Sequence, residues 1–530
     1  MKKIALLLFV AFLCKNCFSQ PSILWTKTYG GSSADYFDDI ITTLDGGMIC
    51  IGHTSSEDGD VDSTNSGSID VWVVKLSESG DTLWSRTYGG SYNDYGATIL
   101  AMPDSTYLLG CFVFSDDGDV TGFHGGDDIW LVKIDGNGNI IWQHCYGGSS
   151  GERLGGGYKE VISTNDGGFL VSARSQSDDG DVTLHYGSPL LEDIWVFKID
   201  GSGNLQWQRT LGGFDQEYLA CPISAGGDNY LILISTISSD GDMTGLTDYG
   251  LTDLLFIELD NSGNITDKAS IGGSSYDKPN SIVGSPEGGY IITGTTSSTD
   301  APFAPGFGFG SDQFAMKIDS VFNIKWVEQY GGIGGELPFA SIQAPDGSVL
   351  VLGYVNYDSA NNQITQVWGH NDYWCIRIDS SDGQLLWQES FGGSNADNGM
   401  GLCILQSDFL FLTGYAYSND GQVIGNHGSI DAWLVALNNY TFISSIDQSS
   451  SEEINVFPNP FSTYSILSLT DHNDELKQIL LYNNVGSCIR EVNGTGYKAT
   501  VDRNQLAAGL YFYTVETRNG NCYRGKILIQ

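Results

Sequence analysis

Asp128-Ile129-Trp130-Leu131-Val132-Lys133-Ile134-Asp135-Gly136-Asn137-Gly138-Asn139-Ile140-Ile141-Trp142-Gln143-His144-Cys145-Tyr146-Gly147-Gly148 decides the fold, because the chain repeats its two halves seven times. Two short apolar runs flank an Asp-Gly-Asn-Gly turn, the mark of a hairpin. The first half recurs as Asp-x-aromatic at Asp70, Asp193, Asp312, Asp372 and Asp431, and as Asp253-Leu254-Leu255. The second half recurs at Trp25, Trp84, Trp207, Trp326 and Trp387, with Asp267 in the Trp place of one degenerate copy. Successive spacings are 59, 58, 65, 60, 59 and 61 residues.

Each unit holds four strand patterns bounded by turn residues. In the second unit they cover 95–102, 106–113, 128–135 and 139–146. None has helical spacing, and 69 glycines in 530 residues do not suit helices. Four strands per unit, seven times over, predict an all-β chain: a seven-bladed β-propeller over 20–440, with an open solenoid as the structural rival. Two connections per unit are tight. The other two, Gly-Gly-x-x-x-acid and Ser-x-Asp-Gly-Asp, are long. Antiparallel strands alternate direction, so both long connections fall on one end, the expected functional face.

The Asp128–Trp142 pattern resembles the docking repeat of quinoprotein-type propellers, in which the Trp strand is outermost in its blade. That resemblance implies that the Trp25 strand closes the last blade beside the Asp431 strand. It carries no quinone site.

With 24 Lys+Arg against 64 Asp+Glu the net charge is -40, which excludes a phosphate-backbone partner. Met1-Lys2-Lys3, the apolar run 4–13 and the small residues Cys17 and Ser19 read as a signal peptide over 1–19. That run is too short to span a bilayer, and no other stretch reaches transmembrane length. The acid-rich 12% aromatic chain does not read as disordered. Cys50, Cys111, Cys145, Cys221, Cys375 and Cys403 sit in apolar runs and read as small buried hydrophobes. Cys488 and Cys522 are the candidates for a disulfide.

After Asn439 the repeat stops. A polar linker, 441–451, precedes a domain over 452–530 that opens Val456-Phe457-Pro458-Asn459-Pro460-Phe461 and ends Gly525-Lys526-Ile527-Leu528-Ile529-Gln530. With its Gly509-Leu510-Tyr511 strand, it resembles the type A sorting domain of the type IX secretion system, a small β-sandwich. The resemblance implies export through that machinery and release or tethering at the cell surface. Gly520–Lys526 fits G-x-x-x-x-G-K, but Ile527 follows where a phosphate loop needs Ser or Thr.

Three constellations could carry chemistry. The first is an acid in every Gly-Gly connection: Asp35, Asp94, Glu152, Glu217, Asp277, Glu336 and Asp397. The blade phase that the resemblance implies puts these at the start of the innermost strands, where they would ring the channel mouth as a cation site or pin their own turns. The second is Asp58-Gly59-Asp60, Asp117-Gly118-Asp119, Asp179-Gly180-Asp181 and Asp240-Gly241-Asp242, weakening to Asp420-Gly421-Gln422 and absent from units five and six. Asp-x-Asp around Gly is what a calcium loop needs, and unit one continues to Asp62. Ser63 and Ile69 depart from an EF-hand, and an Asx-type turn explains the same residues. The third is His124, His185, His370 and His427, on different blades and expected to face solvent. No nucleophile elbow, zinc helix or dinucleotide fingerprint is present.

The sequence therefore predicts a secreted or cell-surface binding or adhesion propeller, offering a glycan or protein its long acidic loops, with calcium as the possible ion. An extracellular polysaccharide-acting enzyme and a structural surface component stay open. An enzyme would break the repeat with charged or aromatic residues unique to one or two blades.

Overall fold

The computed structural model describes residues 21–438 except 62–65, 156–158, 304–305, 308–309, 357–363, 365 and 406–408. It also describes 454–529 except 458, 460, 470–474, 483–487, 494–495, 504–505, 507–508 and 519–521. The signal peptide expected over 1–19 and the linker expected over 441–451 lie outside the described residues. Ser22–Asn438 forms one compact unit, and the C-terminal strands form another.

In the first unit the described residues make seven antiparallel sheets. Six are built from consecutive strands, innermost to outermost, and the seventh from three consecutive strands and the first strand of the chain; in blade three the innermost strand is split into Glu152–Arg153 and Val161–Ser163. The innermost strands, beginning at the seven Gly-Gly-connection acids, touch their neighbours in order, and that of Asp397–Leu405 returns to that of Asp35–Thr42. This cycle makes the unit a β-propeller. The second unit's strands match the predicted 95–102, 106–113, 128–135 and 139–146 to within a residue at each end.

The ring closes with the first strand. Ser22–Tyr29 lies antiparallel to Asp431–Asn438, with Trp25 opposite Ala436 and Tyr29 opposite Ala432. It is the outermost strand of blade seven, as the docking-repeat resemblance implies.

Packing explains the two repeated aromatics. The Asp-x-aromatic residues fill the gaps between sheets: Trp72, Trp130, Trp195, Trp374 and Trp433 are fully buried. Each such ring contributes a few kcal/mol of apolar burial (~2–3). The outer-strand Trp instead lies against the hairpin of the next blade. Trp84 Nε1 donates to Gly136 O, Trp207 Nε1 to Asn261 O and Trp326 Nε1 to Ser380 O. The Gly of that hairpin leaves room for the ring: a Cβ at Gly263 would sit 2.7 Å from Trp207 and one at Gly383 2.8 Å from Trp326. The degenerate copy keeps this logic. Where Asp267 replaces Trp, the facing hairpin carries Phe322 in the Gly place, at φ 63°, and its ring stacks on Phe256 at 5.5 Å. The missing ring is supplied from the other side of the seam.

In the C-terminal unit, sheets of three and four strands enclose a core with Phe461, Leu467, Ile479, Val501, Tyr513 and Ile527. The strand order places Cys488 and Cys522 on opposite edges of the four-stranded sheet. Three strand spacings, roughly 14 Å, separate those edges, about twice the Cα reach of a disulfide. The backbone therefore does not support that pairing; the two side chains lie outside the described residues.

Candidate functional site

The seven Gly-Gly-connection acids do begin the innermost strands, but they do not ring the channel mouth. All are 0–1% exposed. Asp35 folds back to accept from Gly31 N–H (2.7 Å), Ser56 Oγ (2.8 Å) and Thr54 Oγ1. Asp94, Asp277 and Asp397 do the same in their blades. A carboxylate so placed ties the Gly-Gly turn to the second strand.

The Asp-Gly-Asp turns clasp the same turn from outside. Ser32 N–H donates to Asp58 Oδ1 (2.7 Å), and Gly30 N–H to Asp60 Oδ2 (3.1 Å). The backbone of Asp60 returns a bond to Gly30 O (3.0 Å). Asp117 and Asp119, Asp179 and Asp181, and Asp240 and Asp242 repeat this geometry. The amide of Ser149 holds the Asp179 carboxyl below the usual range. In unit five, where the motif reads as absent, Asp300 keeps the first half and accepts from Ser274 N–H (2.9 Å). The four pairs stand on four separate blades. Among the described residues no three His, Cys, Asp or Glu side chains gather as a metal ion requires; Asp62 lies outside them.

The histidines do not simply face solvent. His124, His185 and His427 place Nδ1 2.7, 2.6 and 2.7 Å from Asp128, Asp193 and Asp431. His370 lies in an exposed connection.

The concave site is elsewhere, and bulges build it. In six blades the innermost strand carries an extra residue opposite the second strand, and in five of them a single residue is skipped by the ladder: Asp38, Ala97, Asn280, Phe339 and Met400. A bulge re-aims the added side chain. All five line one cavity of about 310 Å³ in the channel. The second strand must then run close behind: a Cβ at Gly353 would collide with the Leu337 carbonyl.

Blades one to three give this cavity its chemistry. His53 stacks on Tyr36 (4.5 Å) and bonds Asp38 (3.1 Å), while Tyr95 stacks on Phe112 (4.9 Å). Arg153 pairs with Asp127 and lies over the Phe114 ring, and Arg174 pairs with Glu192 at 3.0 Å. Lys159, at φ 60°, sends Nζ to both oxygens of the buried Asp39 (2.9 and 2.8 Å). Burial, then Tyr417 and Tyr415, hold the Tyr36 hydroxyl well above its ordinary pKa, so it stays a donor. A second cleft of about 570 Å³ opens between blades five and six, where Lys278 Nζ stands 4.6 Å from the Tyr218 ring.

Sequence reading missed these cations. One signal was present: ten residues separate Asp35 from Asp45 and Asp94 from Asp104, but fourteen separate Glu152 from Asp166. That insertion breaks the innermost strand of blade three and carries Lys159.

The six exposed aromatic side chains among the described propeller residues are Tyr92, Phe214, Tyr249, Tyr276, Trp368 and Tyr417. All lie in the long connections, on the end where the cavity opens.

Residues 455–530 match the family model described as the secretion system C-terminal sorting domain. The C-terminal unit is a type IX sorting domain. Its presence means that the chain engages that machinery and is delivered to the cell surface or the extracellular space. Among the described residues no helix is long and apolar enough to cross a membrane. No curated protein matches the chain. Among solved structures the chain is similar to a protein of unknown function from Dyadobacter fermentans DSM 18053, at 12% identity and TM-score 0.38, covering 79% of this chain and 99% of that one. It is also similar to the Neurospora crassa Pan2 WD40 domain, at 9% identity and TM-score 0.42, covering 78% and 95%. A third similarity is to a Penicillium chrysogenum alpha-L-arabinanase complexed with arabinobiose, at 12% identity and TM-score 0.36, covering 64% and 92%.

Proposed function

We propose that this exported propeller is a surface or extracellular binding protein whose ligand is a glycan, held at the channel mouth. The observation that carries the reading is the channel cavity, whose charged and aromatic lining comes from blades one to three, on the end that holds the exposed aromatics. A sugar ring offers an apolar C–H face and a rim of hydroxyls. Tyr95 and Phe112, both in the cavity lining, supply flat partners for the first. Arg153–Asp127, Arg174–Glu192 and His53–Asp38 supply side-by-side donors and acceptors for the second. Because those cations are paired with acids, the mouth suits a neutral sugar better than a strongly anionic one. In this reading the Asp-Gly-Asp clasps hold the surrounding loops in shape.

Polysaccharide cleavage is the second reading. It is favoured by the broken symmetry of blade three, since unique charged residues in one sector are what an active site needs.

A glycan array followed by a hydrolysis assay on the full-length protein tests both. Binding without new reducing ends is expected. Tyr95→Ala and Phe112→Ala should each weaken it about tenfold, the loss of one stacking contact of roughly 1.4 kcal/mol, in a chain that still melts cooperatively. New reducing ends would favour the enzyme. Binding that survives both substitutions would place the ligand elsewhere.

A further inference from the structure

The seams between blades hold a second repeated feature. In six seams the N–H of a Gly-Gly-connection acid donates to the carbonyl just before an Asp-x-aromatic acid of the preceding blade, as Asp94 N–H does to Ile69 O (2.8 Å) and Asp277 N–H to Thr252 O (3.0 Å). That bond sets two carboxyls side by side. The pairs are Asp70 with Asp94, Asp128 with Glu152, Asp193 with Glu217, and Asp253 with Asp277. Asp312 with Glu336, Asp372 with Asp397 and, across the closure, Asp431 with Asp35 complete the series. In four seams both members converge on the first Gly of the Gly-Gly turn, at Gly89, Gly147, Gly212 and Gly392. A Cβ at Gly89 would stand 2.6 Å from Asp94 Oδ2 and 2.8 Å from Asp70 Oδ1, and one at Gly147 2.5 Å from Glu152 and 2.9 Å from Asp128.

One oxygen of each Asp-x-aromatic acid is satisfied: Oδ2 accepts a backbone N–H four residues back in Asp70, Asp128, Asp253 and Asp372. The other is not. Oδ1 of Asp70, Asp128, Asp193, Asp253, Asp312 and Asp372 is buried and receives no hydrogen bond from the described residues. A buried acceptor facing a second carboxylate is costly unless one of the two is protonated.

We propose that each of the six seams with an unpaired Oδ1 binds one proton, shared between its two acids as a carboxylic acid–carboxylate hydrogen bond, so that the folded propeller takes up protons and is most stable in mild acid. The proton comes from solvent, and no bond other than this hydrogen bond is formed. Burial foremost raises Asp70, Asp128, Asp253, Asp312 and Asp372 to about 6. Glu217 is raised by burial and then by the facing Asp193.

The other charged neighbours differ by seam. Asp119 faces Asp70, and Asp248 and Asp300 face the Asp253–Asp277 pair. His124, itself 4.0 Å from Asp181, faces Asp128, while Asp127 faces Glu152. His185 faces Asp193; His427 faces Asp431, and Asp58 faces Asp35. The seams of Asp70 and Asp372 have no basic neighbour among these and report the proton most cleanly. Folded values above the unfolded carboxylate range mean that the stabilisation is whole below about pH 4 and is lost as pH rises through about 6.

Melting of the full-length protein tests this. The melting temperature should fall by about 10 °C between roughly pH 5.5 and pH 8.5. Asp70→Asn and Asp372→Asn, whose amides keep a donor in place permanently, should match the wild type at the lower pH and melt higher than it at the upper. Urea unfolding of the unsubstituted chain near pH 5 should release several protons, approaching one per seam. A melting temperature that is flat or rises over this range would overturn the proposal, as would proton uptake on unfolding. So would loss at the upper pH that added calcium or sodium restores, because a metal ion would then be the occupant.

Discussion

Deletion of Ser22–Tyr29 is expected to remove most of the propeller's stability, on the order of 5–8 kcal/mol, and to turn a sharp melt into a broad, aggregation-prone one. The strand supplies a whole edge of blade seven, with seven paired positions against Asp431–Asn438. Trp25 packs 5.8 Å from Phe411. Tyr29, 3% exposed, donates its hydroxyl to Gly80 O at 2.7 Å in blade one. Thr26 Oγ1 donates to Gln422 O at 2.9 Å. The segment therefore joins the two ends of the ring as well as completing a sheet. Without it the Asp431–Asn438 strand becomes an open edge, the kind that recruits other chains. Thermal melting with light scattering reads both effects; a deletion that melts like the parent would show that the ring is held shut by other means.

Lys159→Met is expected to cost about 3 kcal/mol near neutral pH, far more than loss of a surface lysine. Its ammonium is the cation for Asp39, which is 1% exposed and also accepts from Thr98 Oγ1 and Ile99 N–H, each at 3.0 Å. Blades one, two and three thus meet on one carboxylate. The substitution keeps most of the side-chain volume but strands a buried charge. Adding Asp39→Asn should recover much of the loss, because the stranded charge goes with it. Urea denaturation of the single and double variants gives the coupling; single and double variants of equal stability would mean that the pair contributes nothing.

The blades were legible because their signals repeat. A hairpin turn, a buried Trp and a Gly-Gly turn each recur about every sixty residues, and periodicity needs no knowledge of long-range contacts. The identity of the outer strand came from the resemblance of the Trp pattern to the docking repeat of quinoprotein-type propellers, not from periodicity. The acids were legible as a set but not as a role. In sequence, Asp35 and its six equivalents look like a charged ring; in space each turns back on its own turn and vanishes from the surface. For six of the seven the partner acid lies 24 or 25 residues earlier, in the preceding blade, and for Asp35 it is Asp431 at the far end of the ring; it is the packing of one blade on the next that brings the two together.

The channel cavity was not legible, because bulges make it. A single extra residue such as Asn280 or Phe339 shifts the ladder by one place and leaves the alternation pattern too short to reveal it. Lys159 was hidden in a four-residue insertion whose length could be counted but whose direction could not. The exposed aromatics were visible as residues, yet their gathering on one end follows only from strand directions. The sorting domain was read from local motifs, Pro458-Asn459-Pro460 and the Gly509-Leu510-Tyr511 strand, which do not depend on the rest of the chain.

The ring itself is tested most directly by amide hydrogen exchange on the full-length protein at neutral pH. Closure predicts that the ladder amides of Ser22–Tyr29 exchange as slowly as those of Asp431–Asn438, their hydrogen-bonded partner. Exchange of the whole Ser22–Tyr29 segment at the free-peptide rate, while the other sheets stay protected, would contradict it.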